Sequence, residues 1–187
     1  RESLPRGKKV IRQKWVYKRK PDRYKARLVA KGFMQSPWDI GETYAPVTRL
    51  STVRTLLAIT AGRPDWELRH LDISTAFINA TLKEDVYMEC PDGYGACTDV
   101  KCGHIQSLDN KPTCQKCNKC QIDRKGDIII KLKKAIYGLK QSPRDWYDTI
   151  VAWLTKPTKD GGQGFTQSPH DPCLISKLEK TTPDLFK

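Results

Sequence analysis

Three groups of residues have types and spacings that can do chemistry. The first is Asp72. It closes Trp66-Glu67-Leu68-Arg69-His70-Leu71, a segment with the composition of a strand, and Thr75 to Ala80 reads as a short helical turn beyond it. A carboxylate at a strand end faces solvent or a ligand, and rigid backbone fixes its position. Mg²⁺ takes one or two such carboxylates together with phosphate oxygens. An Asp after a strand is also a common turn or helix cap, so both roles stay open. The second group is a run of cations. Residues 6 to 32 hold twelve Lys or Arg against one acid, Asp22, a local net charge of +11. A solvated face usually mixes signs, whereas clustered Lys and Arg are the electrostatic footprint of a polyanion partner.

The third group is thiols. Cys114-x2-Cys117-x2-Cys120 has the ligand spacing of a Zn²⁺ site, and Cys102-x-His104 can complete a tetrahedron. The two Cys-x2-Cys units overlap, which leaves one thiol spare. Residues 95 to 127 around them contain few apolar side chains, so metal would have to order them. A reduced, disordered insert is the competing reading. The seven Cys are odd in number and no secretory signal precedes them, which argues against a disulfide framework.

These residues need elements to position them. Residues 8 to 20 and 24 to 33 read as two strands around Pro21-Asp22-Arg23, a turn cluster. Alternation puts Trp15, Tyr17 and Arg19 on one face and Val16, Lys18 and Lys20 on the other. On the second strand Tyr24, Ala26, Leu28 and Ala30 oppose Lys25, Arg27, Val29 and Lys31. One side of such a hairpin can pack while the basic groups project. After an aperiodic stretch, Ser51 can cap a helix to about Ala61, with Val53, Leu56, Leu57 and Thr60 as a mostly apolar stripe. That helix is expected to pack under the sheet, and Gly62-Arg63-Pro64-Asp65 ends it. Residues 86 to 90 and Asp127 to Lys131 read as further strands. Ser142-Pro143 starts a second helix, with Trp146, Ile150, Trp153 and Leu154 on its apolar face, ending near Thr155. His70 is expected to be a packed residue.

The whole chain sets bounds. With 187 residues, 38% hydrophobic and 29% charged, it suits one domain or part of a larger one, with a polar surface and a net charge of +13. No apolar run approaches the roughly 18 residues of a membrane span. The start, Arg1-Glu2-Ser3-Leu4-Pro5, has neither an initiator Met nor a signal-like segment, so a longer parent product is expected. An intracellular setting is expected too.

Four ordered blocks carry a resemblance. They are Lys14-Trp15-Val16-Tyr17 with Tyr24-Lys25-Ala26-Arg27-Leu28-Val29-Ala30-Lys31-Gly32-Phe33, then Glu42-Thr43-Tyr44-Ala45-Pro46-Val47, then His70-Leu71-Asp72-Ile73-Ser74-Thr75-Ala76-Phe77 with Val86-Tyr87-Met88-Glu89-Cys90-Pro91-Asp92-Gly93-Tyr94, and last Leu132-Lys133-Lys134-Ala135-Ile136-Tyr137-Gly138-Leu139-Lys140-Gln141-Ser142-Pro143-Arg144. Over residues 8 to 94 and 128 to 175 the chain resembles the reverse transcriptases of Ty1/copia-type retrotransposons. The resemblance implies an α+β fold with fingers (8–50) and a partial palm (51–94 and 128–175), an antiparallel sheet and two main helices. Residues 95–127 form a Cys-rich insert and 176–187 a tail.

It also implies roles. Asp72 would be a catalytic carboxylate and Mg²⁺ ligand. Arg27 would clamp the triphosphate of an incoming deoxynucleotide, assisted by Lys18 or Lys25. Phe77 would lie beneath its sugar and block a 2′-hydroxyl. The backbone amides of Ile73, Ser74, Thr75 and Ala76 could bind triphosphate oxygens as helix-start amides do. Gln141 would touch sugar and phosphates, with Lys140 and Arg144 near nucleic acid. The implied partners are an RNA or DNA primer-template, deoxynucleotides, and the remaining palm, thumb and ribonuclease H parts of a polyprotein in the cytoplasm, a virus-like particle or the nucleus. The family's Tyr-Val-Asp-Asp hairpin does not occur before Lys187, so this chain is expected to be catalytically incomplete by itself. Two other classes of function stay open: a non-catalytic nucleic-acid-binding remnant, and a zinc-organised interaction module at residues 97 to 120.

Overall fold

The computed structural model describes residues 4–91, 121–122 and 128–178. They form a mixed α/β arrangement of two helices and three small sheets. The chain divides into two compact units, Arg1–Tyr44 with Thr75–Trp146, and Ala45–Ser74 with Tyr147–Lys187.

In the first unit, β1 (Val10–Ile11), β4 (Thr81–Glu89), β6 (Ile128–Lys134) and β5 (Gln121–Ile122) make a four-stranded sheet in the order β1-β4-β6-β5. The sheet is not wholly antiparallel, as expected from sequence. Val10 and Ile11 pair in parallel with Tyr87 and Met88. Parallel pairing needs a long crossover, and the chain between Ile11 and Thr81 supplies one. Ile11, Ala30, Val86, Met88 and Leu139 form the buried core, with Leu28, Met34, Leu82, Ile130, Leu132 and Ile136 packed against it.

The expected first strand is split. Its first part joins that sheet as β1, whereas β2 (Gln13–Arg19) pairs only with β3 (Tyr24–Ala30) in a separate antiparallel ribbon. Lys20 N donates to Arg23 O at 2.8 Å to close the turn. Neither ribbon face packs along its length. Trp15 is 41% exposed, Tyr17 75% and Tyr24 81%, which corrects the expectation that the aromatic side is covered. Only the base, at Ala30, is buried.

In the second unit, α1 (Leu50–Ala61) lies where the apolar stripe predicts a helix, but no residue of it is buried. Ser51 lies inside the helix and Arg49 is the N-cap, without a side-chain cap bond. The cap comes from far along the chain. Asp171 Oδ2 accepts from Arg49 N at 3.2 Å, an amide that a helix start leaves open, and from the Thr52 hydroxyl at 2.6 Å. Asp171 sits in the turn between β7 (Thr166–Gln167) and β8 (Ile175–Ser176), where its Oδ1 accepts from Cys173 N at 2.9 Å. Residues 66–71, with a strand-like composition, pair with no strand among the described residues, and His70 is exposed rather than packed. A strand composition needs a neighbour to satisfy its backbone, and none is present there.

α2 (Ser142–Thr155) matches its predicted limits. The buried Ser142 hydroxyl donates to Ile136 O at 2.7 Å. Among the described residues no helix is long and apolar enough to cross a membrane.

Candidate functional site

The β2–β3 register decides which basic groups act together. Val16 pairs with Arg27, and Lys18 with Lys25. Cross-strand partners share a face, so Lys14, Val16, Lys18, Lys25, Arg27 and Val29 line one side of the ribbon. That side carries four cations and no acid. Like charges directly opposite each other destabilise a ribbon, so the Lys18–Lys25 pair favours an anion between them. The other side carries Trp15 stacked near Tyr17, with ring centroids 6.4 Å apart, and Arg19 over Tyr24 at 5.8 Å.

The basic side turns toward the loop after β6. Tyr137 O accepts from Ala30 N at 2.8 Å. Gly138 has φ +93°, and a side chain there would collide with Ala30 O and with Val29 Cγ1, so only glycine lets loop and strand approach this closely. Above this junction Arg27 Cζ lies 5.5 Å from the Tyr137 ring centroid. Phe77 meets the same ring edge-on, with centroids 5.0 Å apart and planes at 69°. The structure therefore brings together two sequence-predicted residues, Arg27 and Phe77, through a third, Tyr137, that sequence reasoning did not select.

Gln141 is placed differently from its expected role. It is fully buried, and its Oε1 accepts from Gln35 Nε2 at 2.9 Å while its Nε2 donates to Asp39 O at 3.2 Å. Gln35 Oε1 also accepts from Lys140 N at 2.9 Å. Asp39, itself buried, pairs with Lys8 Nζ at 2.6 Å. As placed, Gln141 braces the loop, and contact with a nucleotide would require opening these bonds. Lys140 is exposed at the loop's end, and Arg144 Nη1 donates to Tyr44 O at 3.1 Å.

The stretch that opens on Asp72 is divided between the units. Asp72, Ile73 and Ser74 belong to the second and are exposed; Thr75, Ala76 and Phe77 belong to the first. The expected helix start is only a four-residue 3₁₀ turn, Ala76–Asn79. It lacks the aligned amides that let a helix start hold phosphate, so that role for Ile73 to Ala76 loses its structural basis. Thr75 precedes the turn at φ +52°, the one non-glycine residue with positive φ among the described residues. A β-branched residue in that region is strained, and such strain concentrates at functional sites.

Among the described residues no three His, Cys, Asp or Glu come together to hold a metal. One candidate carboxylate, Asp72, does not make a two-metal centre, so no metal-dependent step is derived from these residues. The thiol set Cys102, His104, Cys114, Cys117 and Cys120 lies outside the described residues.

Asp171 is the polar residue that sequence reasoning missed in the second unit. The Thr52 hydroxyl, followed by the Cys173 amide, holds its carboxyl below the ordinary 3.8, and the Arg49 amide and charge add to this against the opposing effect of burial. Burial, and then the Asp171 charge, push the Cys173 thiol up. A cap supplied some 120 residues along the chain leaves no local sequence signal.

The model of a family described as reverse transcriptase (RNA-dependent DNA polymerase) matches residues 2–167. The chain belongs to this reverse transcriptase family. Its relatives are Pol polyproteins of Ty1/copia-type elements. It is 34% identical over 181 residues to the retrovirus-related Pol polyprotein from transposon TNT 1-94 of Nicotiana tabacum, covering 93% of this chain and 11% of the relative. It is 34% identical over 174 residues to that from transposon RE1 of Arabidopsis thaliana, covering 89% and 10%. With the transposon Ty1-ER2 Gag-Pol polyprotein of Saccharomyces cerevisiae it shares 32% over 154 residues, covering 80% and 7%. This reverse transcriptase chain thus spans about a tenth of the length of the curated relatives it matches. No solved structure matches it.

Proposed function

We propose that the chain is the nucleotide-gripping part of a retrotransposon RNA-directed DNA polymerase. The observation that carries the reading is the one-sided array of Lys18, Lys25 and Arg27, with Arg27 reaching the Tyr137–Phe77 ring pair. Arg27 holds triphosphate oxygens through its planar fork, and the lysines add diffuse charge. Phe77 lies under the sugar, and Lys140 and Arg144 lie near nucleic acid. In the complete enzyme the reaction is attack of a primer 3′-hydroxyl on the α-phosphorus, with pyrophosphate leaving. Asp72 would be one carboxylate holding Mg²⁺ there, together with carboxylates outside the described residues, and the metal would supply charge neutralisation at the phosphates.

A second reading, nucleic-acid binding without catalysis, is favoured by the same basic ribbon. RNA-templated primer extension separates the two readings, with Asp72→Asn as the control. No extension by either protein, with template-primer bound by both, is expected of this chain alone. Extension by the native chain that Asp72→Asn abolishes would show that the 187 residues are a complete polymerase.

A further inference from the structure

In the loop after β6 the structure treats Gln141 and Tyr137 differently. Gln141 is sealed, with its amide committed to Gln35 and Asp39. Tyr137 is half-buried at the other end. Its backbone cannot drift, because its carbonyl accepts from Ala30 N at 2.8 Å and Gly138 beside it is packed against the Ala30 carbonyl. Its ring centroid lies 5.5 Å from Arg27 Cζ and 5.0 Å from the Phe77 ring centroid. A ring so anchored fixes the separation of two side chains that would otherwise move independently. Arg27 is exposed and would be free to adopt many rotamers without it.

We propose that Tyr137 is a positioning and specificity-determining residue of the nucleotide site, holding Arg27 and Phe77 at a set spacing so that triphosphate grip and sugar selection become one measurement of ligand length. The proposal rests on the nucleotide reading above. The ligand class is deoxynucleoside triphosphates, discriminated from ribonucleoside triphosphates. A guanidinium held over a ring is ordered before the phosphate arrives, which lowers the entropy lost on binding. A Phe77 ring braced edge-on cannot swing aside to admit a 2′-hydroxyl. Gln141, by contrast, supports the loop without touching the ligand.

The test is equilibrium binding of dATP and ATP to the full chain by calorimetry, with Tyr137→Phe, Tyr137→Leu, Tyr137→Ala and Arg27→Ala. The native chain is expected to prefer dATP. Tyr137→Phe keeps the ring and should stay within about twofold of native for both ligands. Tyr137→Ala should lower dATP affinity about tenfold and bring the dATP-to-ATP ratio toward one. Tyr137→Leu keeps apolar bulk without a π-face, so it reports the ratio even if the alanine variant does not fold. If folded Tyr137→Leu and Tyr137→Ala keep native affinity and ratio while Arg27→Ala weakens both ligands, the role of Tyr137 is wrong and the nucleotide reading stands. If the native chain binds neither triphosphate, or Arg27→Ala changes nothing, the nucleotide reading fails and the proposal falls with it.

Discussion

Within the unit built from Arg1–Tyr44 and Thr75–Trp146, the enclosed side chains are mostly apolar: Ile11, Val86 and Met88 lie at 2% exposure or less around a sheet. In the unit built from Ala45–Ser74 and Tyr147–Lys187, the buried side chain among the described residues is a carboxylate, Asp171, while Leu56 and Leu57 of α1 are 41% and 46% exposed. The first unit draws stability chiefly from removing hydrocarbon from water, with the Asp39–Lys8 pair and the Gln141 brace beside that core, and the second from hydrogen bonds converging on a charge. The difference teaches where each tolerates change. A hydrocarbon core is sensitive to volume and insensitive to pH; a carboxylate knot is the reverse.

The comparison can be broken most forcefully through packing. Met88→Ala should lower unfolding free energy by about 2–5 kcal/mol, read by chemical denaturation, while Leu56→Ala in α1 should lose less than about 1 kcal/mol. Equal losses would mean that the two units do not differ as described. Next in size is the polar brace of the first unit. Gln141→Ala removes the shorter of the two bonds that Gln35 Nε2 donates and the bond to Asp39 O, and should destabilise by about 1–3 kcal/mol. Because the brace is neutral, that loss should hold constant from pH 3 to 7. Asp171→Asn should have a smaller effect at neutral pH, visible as fraying of α1 in hydrogen exchange at Arg49 to Val53.

The pH dependence sharpens the contrast. The Asp171 carboxyl is held below 3.8 in the folded chain, so the folded state binds fewer protons than the unfolded one. Its stabilisation is fully present above the ordinary carboxylate value and is lost as pH falls through the folded one. Acid should therefore loosen the second unit first, seen as earlier exchange in α1 than in β4. Simultaneous loss in both would contradict the division. The smallest expected effect lies on the ribbon. Lys18→Thr removes a like-charge cross-strand pair and should stabilise by about 0.2–1 kcal/mol while weakening anion binding, a trade that a purely structural lysine would not show.

Much of this was legible in the sequence where the signal is local. Alternation groups Val16 with Lys18 on one strand and Lys25 with Arg27 on the other, and the pairing register joins the two groups on one face. The second helix matches its expected limits and the first has its cap at Arg49, two residues before the expected Ser51, because apolar spacing and the Gly62 and Ser142-Pro143 punctuation are short-range. What failed was tertiary. Alternation at Trp15 and Tyr17 reads as a packed face, but nothing covers it among the described residues. Gln141 beside Lys140 reads as a polar ligand group, yet its partners Gln35 and Asp39 are over a hundred residues away. Tyr137 carries no distinguishing pattern; its place between Arg27 and Phe77 follows from the Gly138 approach to Ala30, which only the fold makes visible.

If the basic face of the β2–β3 ribbon grips a nucleotide, Arg27 is the side chain that must carry the grip. Titration of the native chain and Arg27→Ala with a deoxynucleoside triphosphate, at low and high salt, tests it most directly. The account predicts binding by the native chain that weakens with salt, and a loss of roughly ten- to a hundredfold in Arg27→Ala. Equal affinity in the two proteins, both folded, would contradict it.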